Sequence, residues 1–212
     1  MIAAARLERF AVVTFAADPA ALAALLPDGV DVDLPLVSAV AYHYRDLRLR
    51  GVPAARITGG QVHLRAYVRV GDERGVWFLR TIQDSRWATL PHHLWGMPWE
   101  RGRVTLDDSG DEQLRIIAGG VDLRLGEAIA AELPRAVTAA TVGWFDGRRG
   151  VMRFEVAFDD AEITPCDAGS ARVQPFESLG LVEPGQPAES AFCHADTDIQ
   201  IHLPPKPAFP RQ

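Results

Sequence analysis

Lysine is all but missing from this chain: of 22 basic residues only Lys206 carries an ε-amine, and it stands between prolines in the segment Pro204 to Arg211. An interior amine that could form an imine with a ketone is thereby excluded. Cysteine is nearly as scarce. Cys166 and Cys193 lack metal-ligand spacing and are too few for a disulfide framework, which fits a reducing, cytoplasmic setting. No run approaches the roughly 18 to 20 apolar residues that cross a bilayer, and the apolar start at Met1 stops at Arg6, so neither a membrane span nor a signal peptide is expected. Positive charge is not in excess. The net charge of −6 leaves no cationic surface for phosphates and argues against a nucleic-acid partner. Phosphate-binding glycine loops and a nucleophile elbow are absent as well, and no repeat or linker divides the chain. One domain over residues 1–212 follows, ending in a proline-rich tail at 204–212.

What is present is a succession of short extended segments. Arg9 to Phe15, Leu36 to Tyr44, Val62 to Val70, Val76 to Ile82, Arg101 to Leu106, Gln113 to Ala118, Val121 to Leu125, Thr141 to Phe145, Val151 to Phe158 and Thr197 to Leu203 read as strands. Asp146 to Gly150 is a hairpin turn between two of them. Asp18 followed by Pro19 caps a short helix that ends at Pro27, and Gly126 to Arg135 reads as a second helix despite Pro134. In Val62 to Val70 the period-two alternation puts Val62, Leu64, Ala66, Val68 and Val70 on one face and His63, Arg65, Tyr67 and Arg69 on the other. Such a pattern predicts a mainly β (α+β) fold, a closed antiparallel barrel with a few short peripheral helices and a ligand cavity inside.

Three stretches carry a family resemblance. They are Asp18 to Asp46 (DPAALAALLPDGVDVDLPLVSAVAYHYRD), Gly60 to Val104 with its LWGMP segment, and Ser190 to Pro205 (SAFCHADTDIQIHLPP). In order and spacing they resemble the acetoacetate decarboxylase superfamily, and within it the YqjF-like branch of unknown function. The resemblance implies a cone-shaped barrel with a buried cavity. It also implies a pair of lysines after a proline in the central segment, one to form the imine and its neighbour to lower the amine's pKa. Here Pro98 is followed by Trp99 and Glu100. The loop that would hold the family's acidic cavity residues reads Thr58 to Gln61, without a carboxylate, and superfamily members assemble into homo-oligomers.

The residues around that gap define the candidate site. Trp99 and Trp95 either line a pocket or pack as core aromatics. Glu100 is a general acid or base if its loop points inward, and one partner of a surface ion pair if it does not. The polar face carrying His63 and Arg65, with Gln61 before it, lines a lumen that could take a carboxylate or is the wet side of a sheet. His93, beside His92, is a pocket candidate, but adjacent histidines diverge and make a poor chelate, so no metal and no cofactor are expected. A triad of His194 with Asp196 or Asp198 and a nucleophile at Ser190 or Cys193 lacks the geometry such sites need. The expected function is binding of a small carboxylate or keto compound without Schiff-base decarboxylation. The rival is a lyase, hydratase or aldol-type enzyme using Glu100 and a histidine.

Overall fold

The computed structural model describes residues 2–49, 56–87, 89–108, 114–133 and 141–209. Strands dominate: β1 (Ile2–Ala16), β2 (Asp31–Leu49), β3 (Ile57–Val70), β4 (Glu73–Gln83), β5 (Trp99–Arg101), β6 (Val104–Asp108), β7 (Leu114–Ala118), β8 (Val121–Leu125), β9 (Val142–Gly147), β10 (Gly150–Phe158), β11 (Ile163–Pro165), β12 (Ser170–Val173), β13 (Ser190–His194), β14 (Thr197–His202) and β15 (Lys206–Pro207). Among the described residues three short helices join them, α1 (Pro19–Leu25), α2 (Thr89–Trp95) and α3 (Gln174–Ser178). The cap of α1 is the one expected, for Asp18 Oδ1 accepts from the Ala21 amide at 2.7 Å and Pro19 opens the helix.

Pairing in the large sheet runs β1-β14-β10-β9-β4-β3-β2, and β2 pairs again with β1, so the seven strands form a closed ring. Two pairings break the expected antiparallel rule. β4 runs parallel to β9 at Val76↔Gly143 and Trp77↔Trp144, and parallel to the short β5 at Thr81↔Trp99. A second, antiparallel sheet, β12-β8-β7-β6, lies outside the ring. Its Ile116, Val121, Leu123 and Leu125 join Val62, Leu64, Ala66 and Val68 of β3 in the larger apolar core. The nonpolar face of β3 therefore packs outward against protein, and its polar face is left to the ring interior.

Three bulges tune which side chains face inward. A bulge shifts the alternation by one residue, so the same face continues with the opposite parity. On β1 the interior side chains run Ala5, Leu7 and then Phe10, across a register shift where Arg9 has φ 53°. On β2 they run Tyr42, Tyr44 and then Leu47, across a shift where Asp46 has φ 54°. On β4 the pairing Leu64↔Arg80 gives way to Arg65↔Phe78, leaving Leu79 as the extra residue. Phe78 and Gln83 then face the same interior even though their numbers differ in parity. These shifts also explain the nearly continuous apolar run in β4, whose Trp77 and Ile82 pack outward while Val76 and Phe78 pack inward.

Elsewhere the expectations need correction. Residues 126–133 of the second expected helix are not helical, because their backbone bonds elsewhere: Gly126 N donates to Asp167 O at 2.8 Å and Ile129 N to Pro165 O at 2.9 Å. The rest of that segment, Pro134 and Arg135, lies outside the described residues, as do Gln113 and the end of the tail at 210–212. The strand expected over Arg101 to Leu106 is two strands, β5 and β6, interrupted where Gly102 N donates to Gln83 O at 2.8 Å. Lys206 is not in a free tail but in β15, paired with Arg153 of β10. Among the described residues no helix is long and apolar enough to cross a membrane.

Candidate functional site: the cavity inside the ring

A cavity of about 80 Å³ lies within the ring. Its polar lining comes chiefly from β3, which projects Gln61, His63 and Arg65, helped by Gln83 of β4 and Trp99 of β5. Strand pairing sets Gln61 opposite Gln83 and His63 opposite Thr81, which in turn neighbours Trp99. Side chains from three strands, β3, β4 and β5, are thus gathered by register alone. Among the described residues no lysine and no carboxylate lines the cavity; Arg65 is its one formally charged side chain.

The polar side chains form a directional row. Gln83 Nε2 donates to Gln61 Oε1, and Gln61 Nε2 then donates to His63 Nδ1 at 3.2 Å. With Nδ1 accepting, the ring proton of a neutral His63 sits on Nε2. That atom is buried and has no hydrogen-bond partner among the described residues; Trp99 Nε1 is in the same position. Burial, reinforced by the Arg65 charge, holds the His63 pKa well below the ordinary imidazole value, so the ring is neutral at pH 7. Tyr42 and Phe78 present their rings edge-on to it at 5.6 and 5.0 Å between centroids. Arg65 is buried too: Nε donates to Ser38 Oγ at 2.9 Å, Ser38 also accepts from Tyr67 OH at 3.2 Å, and the guanidinium lies 5.6 Å from the Tyr67 ring centre.

Of the residues proposed from sequence, Trp99, Gln61, His63 and Arg65 come together at this cavity. Glu100 does not. Neighbours on a strand face opposite ways, so with Trp99 turned to the cavity, Glu100 turns out, where Arg80 Nε donates to it at 2.9 Å with 46% of the carboxyl side chain exposed. Trp95 packs with Met97, Phe145, Met152 and Phe154 beyond the cavity wall. His93 is exposed on α2, its ring 5.6 Å from that of His92. Gln83, which sequence reasoning missed, had no local signal; its place depends on the Gln61↔Gln83 register and the Leu79 bulge.

The other candidates resolve into structural contacts. The His194 ring stacks on Phe10 at 4.7 Å, whereas Asp196 and Asp198 face Arg6 at 3.6 and 3.8 Å, so no triad assembles. Cys166 and Cys193, far apart in sequence, bring their sulfurs to 3.6 Å as free thiols. No group of three potential metal ligands forms among the described residues. Lys206 lies in a separate cleft with Arg153, Glu155 and His202.

Comparison with known proteins agrees with this architecture. Residues 4–198 match the family model DUF2071, described as an uncharacterized conserved protein. No curated protein matches the sequence. Among solved structures the chain is similar to acetoacetate decarboxylase from Legionella pneumophila (16% identity over 93% of this chain and 84% of that one, TM-score 0.70). It is also similar to an acetoacetate decarboxylase-like enzyme from Sphingomonas wittichii RW1 (16%, 94% and 90%, TM-score 0.71). A third is the enduracididine biosynthesis enzyme MppR complexed with pyruvate (11%, 98% and 90%, TM-score 0.73). At these identities the likeness establishes a shared fold.

Proposed function

We propose, because this chain belongs to the DUF2071 family, an uncharacterised branch of the acetoacetate decarboxylase-like superfamily, that its ring is a closed barrel whose cavity binds a small carboxylate or keto compound without forming an imine. The observation that carries this reading is the buried row Gln83, Gln61, His63, which ends in an unpartnered Nε2 on a cavity wall that also carries Arg65. A neutral imidazole N–H and a fixed guanidinium charge suit an oxyanion, and the bond to a charged acceptor is stronger than one between neutral groups. The keto-acid class is carried over from MppR, whose structures hold pyruvate and a condensation product of pyruvate. Covalent capture has no nucleophile here, since no lysine lines the cavity among the described residues and Lys206 lies in another cleft.

A thermal-shift titration at pH 7.5 with millimolar acetoacetate, pyruvate and propionate, followed by borohydride and intact-mass measurement, tests both halves. Ligand that binds only the folded state raises Tm by mass action, and the protein mass stays unchanged. Absence of any shift would remove the ligand class. A reduced adduct on a residue inside the ring would remove the non-covalent half.

The second reading, an enzyme of another reaction type in the same cavity, is favoured by the condensation product held by MppR. Glu100 faces away, and burial keeps the Tyr42 and Tyr44 phenols of the cavity protonated, so His63 is the lining group best suited to accept a proton. Consumption of pyruvate with an aldehyde, abolished in His63→Gln, is its signature. Self-association belongs to the proposal too, because Leu90 and Leu94 of α2 are exposed where a second copy would cover them. Light scattering at a single-chain mass would exclude it.

A further inference from the structure

The cavity has two unlike walls. β3 supplies Gln61, His63 and Arg65, and in the seven-strand ring it stands three steps from β10 in one direction and three from β14 in the other. Those opposite strands present only apolar side chains: Phe154, Val156 and Phe158 from β10, Ile199 and Ile201 from β14. No side chain of these two strands can satisfy a second polar end of a ligand; the nearest polar lining is Thr141, whose carbonyl accepts from the Val156 amide.

We infer that the ligand is an amphiphile, a monocarboxylate with a short aliphatic tail, its carboxylate against His63 and Arg65 and its tail against β10 and β14. The inference rests on the cavity being a carboxylate site, as proposed above, and names which carboxylates fit. A hydroxyl or second carboxylate on the tail would be buried against the phenylalanine, valine and isoleucine of these strands without a partner there, which weakens binding by about tenfold or more. Tail length is limited by space. A cavity of about 80 Å³ holds the tail to a few carbons and leaves no room for one as long as octanoate's.

Calorimetric titration of the wild-type chain at pH 7.5 reads this directly, using acetate, propionate, butyrate, isovalerate and octanoate, with succinate, 3-hydroxybutyrate and butyramide as controls. Affinity is expected to rise about fourfold per added methylene as far as isovalerate and to fall at octanoate. Succinate, 3-hydroxybutyrate and butyramide are each expected to bind at least about tenfold more weakly than butyrate. Carboxylates that bind with no gain from acetate to isovalerate, or succinate binding as tightly as butyrate, would overturn the inference and leave the carboxylate site standing. Failure of every carboxylate would instead overturn the site itself, and the inference with it.

Discussion

Gln61 and His63, two residues apart on the same face of β3, are joined by a 3.2 Å hydrogen bond from the amide nitrogen to Nδ1. The bond fixes the tautomer, and burial keeps the ring neutral. Stability must then depend on pH in a defined direction. In the unfolded chain His63 takes up a proton near pH 6.5, whereas in the folded chain it does so only well below that value. The unfolded state therefore binds more protons across the interval beneath pH 6.5, and stability falls as pH falls through it, by up to about 1.4 kcal/mol per pH unit for one such group. His194, shifted the same way by burial, adds to the trend. Urea midpoints at pH 7.5, 6.5 and 5.5 should decline in the wild type and decline less in His63→Gln. Parallel declines would show that His63 does not titrate as described.

Glu100 pairs with Arg80 at the surface and does not line the cavity. Exposed pairs of this kind contribute about 0–1 kcal/mol. Glu100→Gln is expected to change the unfolding free energy by less than about 1 kcal/mol and to leave butyrate affinity within twofold of the wild type. A tenfold loss of affinity would place Glu100 back in the site.

The seam between β4 and β9 closes the ring by parallel pairing and depends on Gly75. A Cβ there would strike the Val142 carbonyl oxygen and come within 2.6 Å of the Trp144 indole. Because Trp144 is fully buried, neither neighbour can give way. Gly75→Ala should cost about 1–3 kcal/mol in urea denaturation, the range for overpacking a filled interior. It should also speed hydrogen exchange at the amides of Val76 and Trp77. An unchanged midpoint would mean the seam is looser than the contacts indicate.

The β3 alternation and the β9–β10 hairpin were legible because each depends on local chemistry: period-two patterning in one, a Gly-bounded turn in the other. The capped α1 is legible on the same grounds, Asp18 and Pro19 being adjacent. What the pattern of β3 could not decide was which face meets solvent. That was settled by the second sheet, whose Ile116 and Leu123 cover the Val62–Leu64 face and so turn His63 and Arg65 inward. Bulges at Arg9, Asp46 and Leu79 were illegible because a one-residue shift leaves composition unchanged while reversing the facing of every later residue. Helix α2 was missed since Thr89 to Trp95 has Pro91 near its start and no buried residue to give it an apolar stripe. Trp99 and Glu100 were drawn from the two adjacent positions that the family resemblance gives to a lysine pair, and the short strand β5 separates them by sending adjacent side chains to opposite sides.

Carboxylate capture by β3 is tested most directly by a crystal structure of the protein grown with saturating isovalerate. The account predicts one molecule inside the ring, a carboxylate oxygen about 3 Å from His63 Nε2 and the methyl groups against Phe154, Val156 and Ile201. Isovalerate ordered with its carboxylate away from β3, or a ring interior with no ligand density at saturation, would contradict it.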